Sequence, residues 1–172
     1  DGFGFLPLIP TLGKAAINEF VSIIQHPDGD YKQLAIREND VKEFRDSEDG
    51  QPYYIIYETD TAPGSSGSPV LNDQWELVAL HHSGVPATNA SGEWLTIDGD
   101  VWRRGMSETL IKWIANEGIR ISAIVDDLQK QIEATHPAIL KQILEAATIK
   151  QVRTLEKVIT TENEMIEETD NI

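Results

Sequence analysis

The sequence predicts a mainly β fold with a helical tail, an antiparallel β-barrel followed by α-helices. Three observations carry that expectation. Between residues 19 and 80, short β-rich runs alternate with Gly, Pro or Asp turns. An irregular Gly/Ser/Pro-rich stretch, residues 60–70, separates two of those runs. From Ser122 onward, apolar residues recur at helical spacing instead. Short strands joined by tight turns favour closure into a barrel.

Residues 1–17 hold Phe3, Phe5, Leu6, Leu8 and Ile9 beside Pro7 and Pro10. Closely spaced prolines argue for an extended arm rather than a helix. Residues 19–26 read as a strand, with Pro27-Asp28-Gly29 as its turn. Gln33–Arg37 and Asp40–Phe44 are two further strand candidates, and Glu48-Asp49-Gly50 turns the chain again. Tyr53–Tyr57, Val70-Leu71 and Leu77–Leu80 have the composition of strands. Residues 86–106 form a polar insertion holding Trp94 and Trp102. Ser107 is placed to cap a short helix, with Leu110, Ile111 and Ile114 on one face and Gly118 at its end.

In the tail, Ile124, Val125, Leu128 and Ile132 form a first apolar stripe. Ile139, Leu140, Ile143 and Leu144 form a second, and Val152, Leu155, Val158 and Ile159 a third. His136-Pro137 separates the first two segments. These stripes must be covered, by the barrel or by a partner. Residues 162–170 carry five carboxylates and no base, and are expected to fray into solvent.

Composition narrows the function. The chain has 172 residues, enough for a domain with a core. Its net charge of −15 argues against a nucleic-acid partner, because phosphate binding needs a basic face. There is no cysteine, hence no disulfide. No run is long enough to span a bilayer, and no signal peptide is visible. A cytoplasmic location is expected, with secretion open for a processed chain. The first residue is Asp1, which reads as processing or as a piece of a longer protein. No acidic cluster has metal-loop spacing, so no cofactor is implied.

The chemistry concentrates in Asp60-Thr61-Ala62-Pro63-Gly64-Ser65-Ser66-Gly67-Ser68-Pro69-Val70. Gly64 and Gly67 bracket Ser66, and glycine lets backbone N–H groups turn inward. A hydroxyl beside such donors is what acyl transfer requires. An α/β-hydrolase elbow needs Gly where Ser68 stands, and a phosphate loop needs a Gly-Lys-Ser/Thr run that is absent.

The Gly-x-Ser-Gly-x-Pro pattern resembles the nucleophile loop of trypsin-like, chymotrypsin-fold serine peptidases, the bacterial glutamyl-endopeptidase-like branch especially. His81-His82-Ser83-Gly84-Val85-Pro86 is similar to that branch's His-x-Gly-Gly-Val-Pro stretch, with Ser83 replacing the first Gly. Phe20–Gly29 and Asn116–Ile121 resemble an early strand and turn and the closing stretch of the second barrel. The resemblance covers residues 18–125. It implies a six-stranded barrel over residues 18–121, an inter-barrel linker over 1–17 and a helical extension over 122–172.

By the same resemblance Ser66 is the nucleophile, and the N–H groups of Gly64 and Ser66 form the oxyanion hole. The general base and its carboxylate belong to a first barrel, upstream of this chain. His26, His81, His82 and His136 lack the catalytic context. The chain is therefore expected to be the C-terminal half of a serine endopeptidase, incomplete and inactive alone. Its partners would be a protein or peptide substrate, the N-terminal half, and a protein regulator on the helical tail. The alternative is an inactive, peptidase-like interaction module acting through that tail. Asp60 occupies the place of a carboxylate that selects Lys or Arg. Thr61 and His81 match positions that receive an acidic side chain, so selectivity stays open. Ser83 and Gly84 lie on the strand that would pair with substrate backbone. His81 and His82, being adjacent on a strand, should face opposite sides.

Overall fold

Strands form where β-branched and aromatic residues cluster, and their buried side chains define the barrel interior. The computed structural model describes residues 5–46, 50, 52–135 and 138–145. Its strands are β1 (Phe20–Gln25), β2 (Gln33–Asp46), β3 (Pro52–Tyr57), β4 (Pro69–Leu71), β5 (Leu77–Pro86) and β6 (Trp113–Arg120). They close into an antiparallel barrel in the order β1-β2-β3-β6-β5-β4, with β4 pairing back onto β1. The interior holds Val21, Ile23, Val41, Ile55, Tyr57, Val70, Val78 and Ala79.

Two expectations need correction. Gln33–Arg37 and Asp40–Phe44 are not separate strands but halves of β2. The register slips between the pairs Ser22↔Ile36 and Phe20↔Asp40, so the polar break is a bulge rather than a turn. Asn39 is buried there and its Nδ2 donates to Val21 O at 3.2 Å, which satisfies the interrupted ladder.

The helix expected after Ser107 is only a 3-10 turn, Glu108–Leu110. Ser107 does cap it, accepting from the Thr109 N–H. The chain then runs as β6 through Ile114 and Gly118. Gly118 ends no helix: it pairs with Ile55 and His81 in the sheet. A Cβ there would lie 3.1 Å from both Ala79 Cβ and Leu80 O. Two-sided pairing of β6 with β3 and β5 outweighs a helical pattern of only three apolar residues.

Helix α1 (Ile121–Thr135) follows β6 directly, and residues 138–145 form a second helix, α2. The start of the first stripe is covered by the barrel, while Leu128 and Ile132 are only partly buried. Ile121 and Val125 are buried against Leu71 and Leu77, with Leu8, Ile24, Leu80, Ile124 and Leu144 packed around them. The N-terminal arm reaches the same place. Lys14 Nζ donates to Ile9 O and Leu77 O, and Asn72 Nδ2 donates to Lys14 O. Ile139 and Ile143 remain exposed. The turn at Glu48-Asp49, the His136-Pro137 junction, the third stripe and the acidic end lie outside the described residues.

Replacing Ile121 by Ala should destabilise the fold by ~3 kcal/mol, since it removes a fully buried side chain between barrel and helix. Ile143→Ala should stay within ~0.5 kcal/mol. Urea denaturation of the two variants checks this. Equal costs would contradict the docking of α1 as the tail's anchor.

Candidate functional site

The loop between β3 and β4 is held from two directions. On one side it is tied to the turn after β1, where Asp28 N–H donates to Pro63 O at 2.7 Å. On the other it is tied to β5: Gly67 N–H donates to His81 O at 2.8 Å, and His81 N–H to Ser68 O at 2.9 Å. Gly64 sits at φ +97° and Gly67 at φ +84°, conformations that favour glycine. Gly64 also has no room for a side chain, because a Cβ would stand 3.0 Å from His26 O and 3.2 Å from Gly29 N.

This framework sorts the loop's polar groups. Ser65 is fully buried and Ser66 is exposed. The amides of Ser65, Gly67 and Ser68 are spent on Ala62 O, His81 O and Ser65 O. Those of Gly64 and Ser66 donate to no group among the described residues. Ser66 Oγ lies 3.5 Å from His82 O. No imidazole or carboxylate among the described residues is hydrogen-bonded to it.

Ser66 borders an open groove of about 1240 Å³, together with Asp60, Thr61, His81, Ser83 and Gly84. The structure thus brings six of the expected site residues to one groove; Gly64 is not among the residues that line it. Asp60 is anchored through its backbone, its carbonyl accepting from Gln25 Nε2 at 2.7 Å. Thr61 Oγ1 donates to Asn116 Oδ1, and Asn116 Nδ2 donates to Thr59 O. Asn116, buried on β6, therefore fixes the groove's floor.

The two imidazoles diverge. His81 turns to the barrel interior, where Nδ1 is hydrogen-bonded to Tyr57 Oη at 2.8 Å. Burial first, and the proximity of His82 second, push its pKa down to about 4. Burial alone pushes the Tyr57 phenol up, so the pair is neutral at pH 7. His82 turns outward, with Nε2 2.8 Å from Glu117 Oε1 and its ring stacked on Tyr54. His26 stays in its turn, Nδ1 3.0 Å from Asp30 O.

Beyond His81, β4 no longer covers β5. On that edge no strand pairs with Ser83–Pro86 among the described residues. Ser83 Oγ donates to Gly84 O at 2.9 Å, a local bond in place of an inter-strand one. Sequence reasoning singled out Ser66 and β5 but gave no role to Tyr57, Asn116, Glu117 or Trp113, which hold or border the groove residues. Tyr57 looks like any strand aromatic. Asn116 offered a signal, the lone amide in β6, directly after three apolar residues.

The geometry yields two expectations. Gly64→Ala should cost ~1–3 kcal/mol in denaturant unfolding, because strain and contact with His26 O act together. A neutral result would show that the loop is not locked to the turn. The His81 ring signals should titrate near pH 4 by NMR, below the ordinary value of 6.5. The unfolded chain takes up that proton as pH falls through 6.5, and the folded chain only near 4. This stabilising contribution is therefore full above pH 6.5 and is lost as pH falls toward 4. Titration near 6.5 would contradict the buried Tyr57–His81 pair.

Comparison with known families and proteins places this geometry in context. A trypsin-like peptidase domain model matches residues 1–80. With the closed six-stranded antiparallel barrel, that match fits a chymotrypsin-like fold. The chain is 37% identical over 140 residues to the uncharacterized protein y4fB of Sinorhizobium fredii (strain NBRC 101917 / NGR234). That alignment spans 77% of this chain and 21% of y4fB. It is 36% identical over 107 residues to secreted RxLR effector protein 73 of Plasmopara viticola, 59% of this chain and 26% of that protein. The chain therefore spans about a fifth to a quarter of the relatives it matches.

Proposed function

We propose that this chain is the C-terminal half of a serine endopeptidase, with Ser66 as nucleophile. The observation that carries the reading is the pair of unspent amides. Gly64 and Ser66 N–H groups flank an exposed hydroxyl in a loop locked on both sides. Such preorganised donors stabilise the oxyanion of a tetrahedral intermediate. Ser66 Oγ attacks the peptide carbonyl, the oxyanion forms at the two amides, and an acyl-enzyme results. The base that takes the Ser66 proton, and its carboxylate, come from an upstream N-terminal barrel. The short share of y4fB covered by this chain leaves room for one in a longer protein.

The open edge of β5 at Ser83 and Gly84 receives the substrate backbone as an added strand. Thr61 and His81 are the residues by which the groove resembles the glutamyl-endopeptidase branch, while Ser83 stands where that branch has Gly. Charge argues for the opposite substrate. Glu58, Asp60 and Glu108 border the groove, no Lys or Arg does among the described residues, and His81 is neutral. We therefore read the groove as favouring a cationic side chain before the cleaved bond.

A second reading rests on a different observation: among the described residues no base reaches Ser66. The chain would then be an inactive peptidase-like module that binds proteins through its tail, where Ile139 and Ile143 are exposed.

Labelling with a fluorophosphonate probe separates the readings, because the probe needs an activated serine. The full-length protein should label, while Ser66→Ala and the 172-residue chain alone should not. Absence of Ser66-dependent labelling in the full-length protein would remove the peptidase reading and leave the interaction module.

A further inference from the structure

We propose that Trp113 is a specificity-determining residue that takes a large apolar side chain of an extended polypeptide lying along β5. This rests on the reading of β5 as a substrate-pairing edge, but it does not need the Ser66 chemistry. Trp113 opens β6 opposite Pro86 and borders the groove, as Ile114 does. Its ring lies directly over Gly84: a Cβ at that position would stand 2.7 Å from Trp113 Cε3. Gly84 is thus the place where β5 gives up a side chain so that the indole can cover its backbone.

The indole is held from behind. Trp94 meets Trp113 edge-on at 6.1 Å between ring centroids and stacks at a tilt on Trp102 at 5.6 Å. Trp102 Nε1 donates to Ser107 O at 3.1 Å. The excursion carrying these rings is pinned at its base. Ala87 N–H donates to Lys112 O at 2.8 Å, and Lys112 N–H to Leu95 O at 2.9 Å. Thr96 and Ile111, which bridge across it, are both buried.

The residues that form the stack are fixed, yet Trp113 is 47% exposed and Ile114 52% exposed. A fixed, half-exposed apolar surface beside unpaired strand backbone suits one kind of occupant. That occupant must supply backbone hydrogen bonds to Ser83–Val85 and, from the same strand, an apolar side chain. A rigid aromatic wall gives such a residue contact area at little entropic cost.

The test uses the full-length protein carrying Ser66→Ala, so that binding is read without turnover. The probes are capped hexapeptides with Phe or Ala scanned through each position, and affinity is read by fluorescence anisotropy. One position should favour Phe over Ala by about tenfold, the scale expected of an apolar subsite. That ratio should fall to about one in Trp113→Ala and survive in Trp113→Phe. Should Trp113→Ala fail to fold, Gly84→Ala decides, because its methyl displaces the indole and should lower the same ratio. An unchanged ratio in the folded variants, or no position with a preference in the parent, overturns the inference. Absence of fluorophosphonate labelling in the full-length protein with Ser66 intact, alongside a retained Phe preference, would sink the peptidase reading alone.

Discussion

The bond from Asp28 N–H to Pro63 O is the constraint on which the site depends. It clamps the β3–β4 loop to the turn after β1, while the bonded exchange between His81 and Gly67/Ser68 clamps the loop's other end. Between the clamps the backbone has little choice. Gly64 is forced to positive φ beneath the His26 carbonyl, and Ser65 is driven inward. Ser66 is left outside with its own amide and that of Gly64 unspent. Leaving donors unpaired is costly where they are buried and cheap at a groove open to water. A stable barrel can therefore leave the Gly64 and Ser66 amides unpaired at its surface.

The rest of the fold secures that loop. β5 contributes to the clamp with His81, lines the groove with His81–Gly84 and leaves its far edge open. β6 carries Asn116, which holds Thr61 and Thr59, and begins with Trp113 over Gly84. Helix α1 and the N-terminal arm meet on the outside of the barrel near Leu71 and Leu77, just beyond the loop's exit strand. The tail is therefore structural in its first turns, with its exposed isoleucines further along.

Much of this was legible in the sequence because local chemistry and global fold agree there. Pro27-Asp28-Gly29 is a turn by composition and by structure. Gly64 and Gly67 were readable as positions of unusual backbone, and both adopt positive φ. Val125 belongs to a helical stripe and is buried against the barrel. The failures have physical causes. Leu110, Ile111 and Ile114 mimic a helical face, but three residues of pattern cannot outweigh two flanking strands. The break at Asn39 looks like a turn until Val21 O supplies a partner. Tyr57–His81, His82–Glu117 and the tryptophan stack join residues far apart in sequence, and no local spacing encodes them.

The most direct test of the central claim is ¹¹B NMR of the full-length protein with a peptide boronate. The Gly64 and Ser66 amide protons are followed in the same sample. An activated Ser66 beside two aligned donors should convert the boronate to a tetrahedral adduct and shift both amide protons downfield. A boronate that stays trigonal in the groove, with the Gly64 and Ser66 signals unmoved, would contradict the account.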